Sequence, residues 1–167
     1  VSNNSEKAYP SGGVVNLVSG IFVEGGNSQY LDNKAKYGGV AYLLNSASYT
    51  GSQVSYRNNQ GSAGGVINIQ GNANFSAVNC HFDVRIPFIL AKILENVAET
   101  VGGVIAAGVN SQINIISSYF TKNEGKTDGT AIYIANSLHT DYTATCSIYD
   151  TEFRINTGSG SLISLQN

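Results

Sequence analysis

Apolar and polar residues alternate along this chain in short runs, and the runs recur at near-regular intervals. Three residues beyond a glycine stand Val15, Ala41, Ile67, Ile105, Ile132 and Ile163, and five beyond it stand Leu17, Leu43, Ile69, Ala107, Ile134 and Leu165. The position between them reads Asn16, Tyr42, Asn68, Ala106, Tyr133 and Ser164, a row suited to face outward. Such alternation with period two predicts a strand with one buried face. Each run opens on a glycine step: Gly12-Gly13-Val14, Gly38-Gly39-Val40, Gly64-Gly65-Val66 and Gly102-Gly103-Val104. The step then weakens to Gly129-Thr130-Ala131 and Gly160-Ser161-Leu162, and the intervals are 26, 26, 38, 27 and 31 residues. A period in this range marks a solenoid.

Two further inward runs follow in each of the first four coils. One comprises Val23 and Gly25, Tyr49 and Gly51, Phe75 and Ala77, Ile113 and Ile115; the other comprises Ser28 and Tyr30, Val54 and Tyr56, Cys80 and Phe82, Ser118 and Phe120. The aromatic is usually followed by Asn three positions on, as Tyr30/Asn33, Tyr56/Asn59, Phe120/Asn123 and Phe153/Asn156, whereas Phe82 has Arg85 in that slot. Three short strands per coil, separated by Gly, Asn and Ser turns, leave no room for a helix in a regular coil. The expected fold is all-β: one parallel β-helix domain over residues 1–167, with five to six coils of about 26 residues. Counterpart strands should lie about 4.8 Å apart, with the aromatics in one internal stack.

The Gly-Gly-Val and aromatic-x-x-Asn marks resemble the GGA[ILV] and FxxN repeats of chlamydial polymorphic outer-membrane proteins and related β-helix proteins. The resemblance covers nearly the whole chain. It implies a right-handed, pectin-lyase-like β-helix and points to surface display and adhesion.

Two irregularities interrupt the repeat. Twelve extra residues lie between Phe82 and Gly102, and about five more lie around His139-Thr140-Asp141-Tyr142. Within the first, Ile89, Leu90, Ile93, Leu94 and Val97 fall at helical spacing after Pro87, opposite Lys92, Glu95, Asn96 and Glu99. A short helix over about 86–99 is expected, with Phe88, Leu90 and Leu94 as lateral interface candidates. The chain opens late in one coil, at Val1-Ser2-Asn3-Asn4, and closes early in another, at Ser161–Leu165, without a polar cap at either end. Leu162, Ile163 and Leu165 therefore form the expected end-to-end interface, either with a further coil of a longer solenoid or head to tail with another copy, since exposed strand edges invite pairing.

Composition narrows the setting. Charged residues make up 12% of the chain, against about 25% in an average soluble domain, so Ser, Asn, Thr, Gly and Tyr must cover the surface. That points to an extracellular, secreted or surface-displayed protein. A net charge of −2 with scattered cations gives no footprint for nucleic acid, and no apolar run is long enough to span a bilayer. No initiator Met or signal peptide is present, as expected of a processed chain or a segment. Cys80 and Cys146, at similar places two coils apart, are too distant to bridge and should be buried thiols.

Candidate chemistry is sparse. A β-helix enzyme acting on acidic polysaccharides would resemble several Asp residues on adjacent coils beside a cation. Here the row after the aromatic reads Leu31, Arg57, Asp83, Thr121 and Arg154, and Asp32 stands on another coil. That row offers no carboxyl pair at glycosidase spacing. His81 and His139 lack ligand partners at metal spacing, and Glu124 and Asp128 flank a turn without phosphate-loop spacing. No cofactor is expected. The sequons Asn3-Asn4-Ser5 and Asn74-Phe75-Ser76 nominate Asn3 and Asn74 for N-linked glycans, Asn74 and Ser76 being on the outward side of a strand. The expectation is a non-enzymatic glycosylated rod, filament unit or adhesin stalk, with a polysaccharide-acting or carbohydrate-binding module as the alternative.

Overall fold

A computed structural model describes residues 11–82, 96–135 and 144–166. The protein is an all-β parallel solenoid. Its first sheet has six strands: Val15–Leu17, Ala41–Leu44, Ile67–Gln70, Ile105–Ala107, Ile132–Ala135 and Ile163–Gln166. The second has five: Gly20–Glu24, Ala47–Ser52, Asn74–Val78, Gln112–Ile116 and Thr145–Tyr149. Gln29–Leu31, Ser55–Arg57, His81–Phe82, Tyr119–Thr121 and Glu152–Arg154 make the third. Gln60–Ala63, Val97–Val101, Glu124–Gly125 and Thr157–Gly158 make a fourth.

The sequence pattern predicts three strands per coil and misses this fourth sheet, whose members are short and rich in polar residues and glycine. Coils two to five contribute to all four sheets, giving about four turns rather than five to six, with part-coils on either side.

The first-sheet columns follow the expected register, from Val15 through Ala41, Ile67, Ile105 and Ile132 to Ile163. The aromatic column is one stack, with ring centroids 5.5 Å apart for Tyr30–Tyr56, 4.8 Å for Tyr56–Phe82, 4.5 Å for Phe82–Phe120 and 4.7 Å for Phe120–Phe153. Tyr49 and Phe75 pack beside it, with Leu43, Ile67, Ile69, Ile105, Ile115 and Ile132 fully buried in the same core. In the outward row of the first sheet, Asn68, Ala106 and Ser164 are nevertheless buried, being short side chains in a row that also carries Tyr42 and Tyr133.

Both glycines of the repeated step are required, for different reasons. The leading ones, such as Gly38 and Gly64, have φ near 60°, and a Cβ on Gly64 would sit 2.1 Å from the Ile67 carbonyl oxygen. A side chain in that conformation is strained in any case. The second glycines face the neighbouring coil: a Cβ on Gly65 would lie 2.2 Å from the Gly103 carbonyl oxygen.

Three column assignments need correction. In coil one the inward pair is Phe22 and Glu24, aligned with Tyr49 and Gly51; Val23 pairs with Thr50 and points outward. The turn before this strand is one residue shorter than in coils two to four, and the Gly25-Gly26-Asn27 turn after it is one longer. The period of 26 is preserved while the pattern slips between. Secondly, Asn96, not Arg85, continues the asparagine column, and Val97–Val101 is a strand. The helix expected over about 86–99 therefore does not extend through its last four residues, because hydrogen bonds to neighbouring coils claim them; its remainder, with Phe88, Leu90 and Leu94, lies outside the described residues. Phe82 and Asn96 are separated by fourteen positions instead of three, and a register irregularity between Ala98 and Val101 accounts for the one remaining extra residue of that interval. Thirdly, Cys146 pairs with Ile113 in the second sheet, whereas Cys80 stands in the turn before the third; the two thiols occupy different columns and both are free.

Replacing Phe120 by Ala should cost about 3–5 kcal/mol, as for a buried aromatic. Gly65→Ala should be destabilising as well, because the clash is with backbone of another coil. Urea unfolding followed by far-ultraviolet circular dichroism checks both.

Candidate functional site at the ends of the solenoid

The asparagine column runs Asn33, Asn59, Asn96, Asn123 and Asn156, and the first four are fully buried. Asn59 Oδ1 accepts from both the backbone N and the Nδ2 of Asn33, at 3.0 and 2.9 Å. Asn96 Oδ1 accepts from the same pair on Asn59, at 2.9 and 3.2 Å. Asn156 Oδ1 accepts from the pair on Asn123, both at 2.9 Å. The Nδ2 of Asn59, Asn96, Asn123 and Asn156 also donates backwards, to the carbonyls of Tyr30, Tyr56, Phe82 and Phe120 of the aromatic column. An Asn side chain offers two donors and an acceptor with two lone pairs, and the column uses all of them. All rungs point the same way, donors toward the C-terminal end.

At that end Asn156 accepts from Asn123 and donates Nδ2 to the Phe120 carbonyl at 2.9 Å. Its backbone N–H and second Nδ2 hydrogen have no acceptor among the described residues. They border a recess of about 370 Å³ lined by Thr130, Asn156, Thr157, Gly158, Gly160 and Leu162. Beside it stand the last described members of the inward columns. Ile163 and Phe153 are half-buried, and Leu162 and Leu165 are 40% and 70% exposed. The residues expected to form an end-to-end interface thus do lie together on one end face. Asp128 ties the last strand down: it accepts from Ser164 Oγ at 2.6 Å and Gln166 Nε2 at 3.1 Å. These bonds, led by that from Ser164, hold its carboxyl below the usual range.

The first coil differs. The slipped register puts the Glu24 carboxylate inside, in the column of Gly51, Ala77 and Ile115. It accepts from the phenols of Tyr30 at 2.6 Å, Tyr56 at 3.3 Å and Tyr49, and the Tyr49 and Tyr56 hydroxyls lie 2.9 Å apart. Gly51 leaves room: a Cβ there would meet Tyr56 Oη at 3.1 Å. Tyrosines occupy the aromatic column within reach of this carboxylate, and phenylalanines follow beyond it. Burial, reinforced by Glu24, pushes the Tyr30, Tyr49 and Tyr56 phenols well above their ordinary pKa. They hold their protons and act as donors. Nothing in sequence spacing flagged this cluster; the Gly25-Gly26 pair after Glu24 was the one sign that the coil is cut differently.

The other nominated residues are dispersed. Asn74 and Ser76 stand in the outward rows of the second sheet, half-buried, with Asn114 Nδ2 at 3.5 Å from Ser76 Oγ. Asp32 is a turn residue with positive φ that accepts from Asn58 Nδ2 at 3.0 Å. Glu152 and Arg154 form an ion pair on the third sheet. Burial raises the Cys80 thiol and pushes Cys146 up to about 11, which keeps both protonated. Asn3, Asp83 and His139 lie outside the described residues. Among the described residues no three His, Cys, Asp or Glu gather to hold a metal ion, and no helix is long and apolar enough to cross a membrane. No protein-family model, curated protein or solved structure matches the chain.

Two pH responses follow. A phenol whose folded pKa exceeds its unfolded value near 10 stabilises the fold below about pH 10. That contribution is lost as pH rises above this, because the unfolded chain ionises first. Phenolate absorbance from Tyr30, Tyr49 and Tyr56 should therefore appear together with unfolding in an alkaline titration. For Asp128 the sign is opposite: its support is present above the ordinary carboxyl pKa and is lost as pH falls through the lowered folded value. Amide exchange at Ser164 should accelerate below about pH 4, and Asp128→Ala should abolish that acid dependence.

Proposed function

We propose that this chain is a non-enzymatic structural β-helix segment that works by end-to-end stacking, as a rod, filament unit or adhesin stalk outside the cell. The observation that carries the reading is the one-way asparagine ladder: each described coil presents the next with amide donors beside apolar columns, and Asn156 does so beside the side chains of Leu162 and Leu165. Covering the apolar columns of one coil with another gains about 25 cal/mol for each Å² of apolar surface buried, and strand edges offer backbone groups for the same pairing. A joint of this kind is heterologous, so it propagates when it does not close. The resemblance of the Gly-Gly-Val and aromatic-x-x-Asn marks to chlamydial polymorphic outer-membrane proteins, and through them to pectin-lyase-like β-helices, favours surface display. The low charge content agrees with it. Asn74, and Asn3 near the beginning of the chain, are the glycan attachment points in this reading; a carbohydrate on the outward row at Asn74 would leave the end face clear.

Sedimentation velocity and negative-stain electron microscopy over a range of concentrations test the proposal. Rods that lengthen with concentration are expected, with Leu165→Lys weakening association at least tenfold, the order of one buried apolar anchor converted through about 1.4 kcal/mol per decade. A chain that stays monomeric at every concentration, or one whose assembly ignores Leu165→Lys and Leu162→Lys, overturns it.

A further inference from the structure

We infer that the inward cluster of coils one and two is a binding site for a small, hard trivalent cation of the ferric kind, held by the Glu24 carboxylate and the phenol oxygens of Tyr49 and Tyr56. The site goes beyond end-to-end stacking and does not rest on it. Three observations carry it, and the first is charge. Glu24 is turned inward, and the side-chain bonds it accepts come from the neutral phenols of Tyr30, Tyr49 and Tyr56. Among the described residues no cation pairs with it, the one ion pair there being Glu152–Arg154. A carboxylate so placed lacks the opposite charge that offsets burial.

The second observation is convergence. Glu24 Oε1 meets the hydroxyls of Tyr49 and Tyr56, the latter at 3.3 Å, and those two hydroxyls lie 2.9 Å apart. A small hard cation takes oxygens in near-octahedral order at about 2.0–2.1 Å, which sets neighbouring ligands about 2.9 Å from one another. The three oxygens thus approximate one triangular face of such a shell. Tyr30, donating to Glu24 Oε2 at 2.6 Å, orients the carboxylate from outside it. The third is space. Gly51 brings no side chain to this column, and a Cβ there would lie 3.1 Å from Tyr56 Oη, so a gap just short of a methyl group borders the phenols. Oxygen donors select a hard ion, and tyrosine oxygen is a ligand that iron accepts. Valence then decides. Tyr49 and Tyr56 each lose a proton to water on binding, and two phenolates with one carboxylate cancel a charge of 3+ inside the fold. A divalent ion would leave net negative charge there, and would pull less on phenols that burial keeps protonated.

The test uses the 167-residue chain near neutral pH with ferric nitrilotriacetate, read by visible absorbance and resonance Raman scattering. A phenolate-to-iron charge-transfer band is expected, saturating at one iron per chain, with Raman modes of a coordinated phenolate. An excess of Mg²⁺ or Ca²⁺ should not displace the iron. The double variant Tyr49→Phe/Tyr56→Phe should weaken the band at least tenfold. Its fold is kept, because the same columns continue as Phe75 and Phe82 in the next coil, and circular dichroism checks this. Glu24→Gln, which keeps an acceptor and removes the charge, should weaken iron binding at least tenfold, whereas Tyr30→Phe should leave the band in place. Absence of a band in the unaltered chain overturns the site. So does a band that survives in the double variant, which would come from exposed phenols such as Tyr119 and Tyr149 and mark an adventitious ion only. Displacement of the iron by Mg²⁺ or Ca²⁺ overturns the trivalent assignment.

Discussion

The structure depends on one constraint: hydrogen-bonded strands set counterpart residues of successive coils about 4.8 Å apart. At that spacing every inward residue sits directly against its counterpart on the next coil, so the interior is a set of columns rather than a jigsaw. Apolar columns tolerate this readily. A polar column is possible only if each rung satisfies the next, and the asparagines do so because one amide carries both donors and an acceptor. The ladder therefore does more than fill space. It fixes the coil-to-coil register at the corner between the third and fourth sheets, where Asn59, Asn96 and Asn123 are buried without any exposure.

The same constraint explains the exceptions. Glu24 is the one inward carboxylate among the described columns, and it stands where Gly51 and the hydroxyls of Tyr30, Tyr49 and Tyr56 can surround it. A carboxylate turned inward needs partners of this kind even when half-buried. Its neighbours change from tyrosine to phenylalanine once the carboxylate is out of range. At the opposite end Asp128 accepts from Ser164 and Gln166 on the outer side, so the last strand is tied by charge-assisted bonds while its inward Leu165 remains open. Ser111 breaks the rule: its hydroxyl is buried with no partner among the described residues.

A repeating column structure also has direction. Because the asparagine rungs donate toward the C-terminal side, the two faces of every described coil differ chemically, one offering amide donors and the other an amide oxygen. In the proposed stacking, like units meet head to tail, which gives a rod its polarity.

Much of the fold was legible from residues alone. The columns from Val15 to Ile163 and from Leu17 to Leu165, the Gly-Gly steps and the aromatic stack follow from period-two alternation repeated at a near-constant interval. Repetition makes the evidence for each column cumulative. What the sequence did not determine lies where counting breaks. Coil one shortens one turn and lengthens the next, so its pattern slips by a residue with no change of period, and only pairing with Ala47–Ser52 shows Glu24 to be inward. The eleven extra residues before Asn96 hid a ladder member, and apolar spacing there imitated a helix that tertiary hydrogen bonds partly override. The fourth sheet, two residues wide in places and rich in glycine, has too little alternation to be read. Local pattern determines which face of a strand is apolar; the neighbouring coil decides which residue actually meets that face, because hydrogen bonding across the 4.8 Å gap is a property of two segments and not of one.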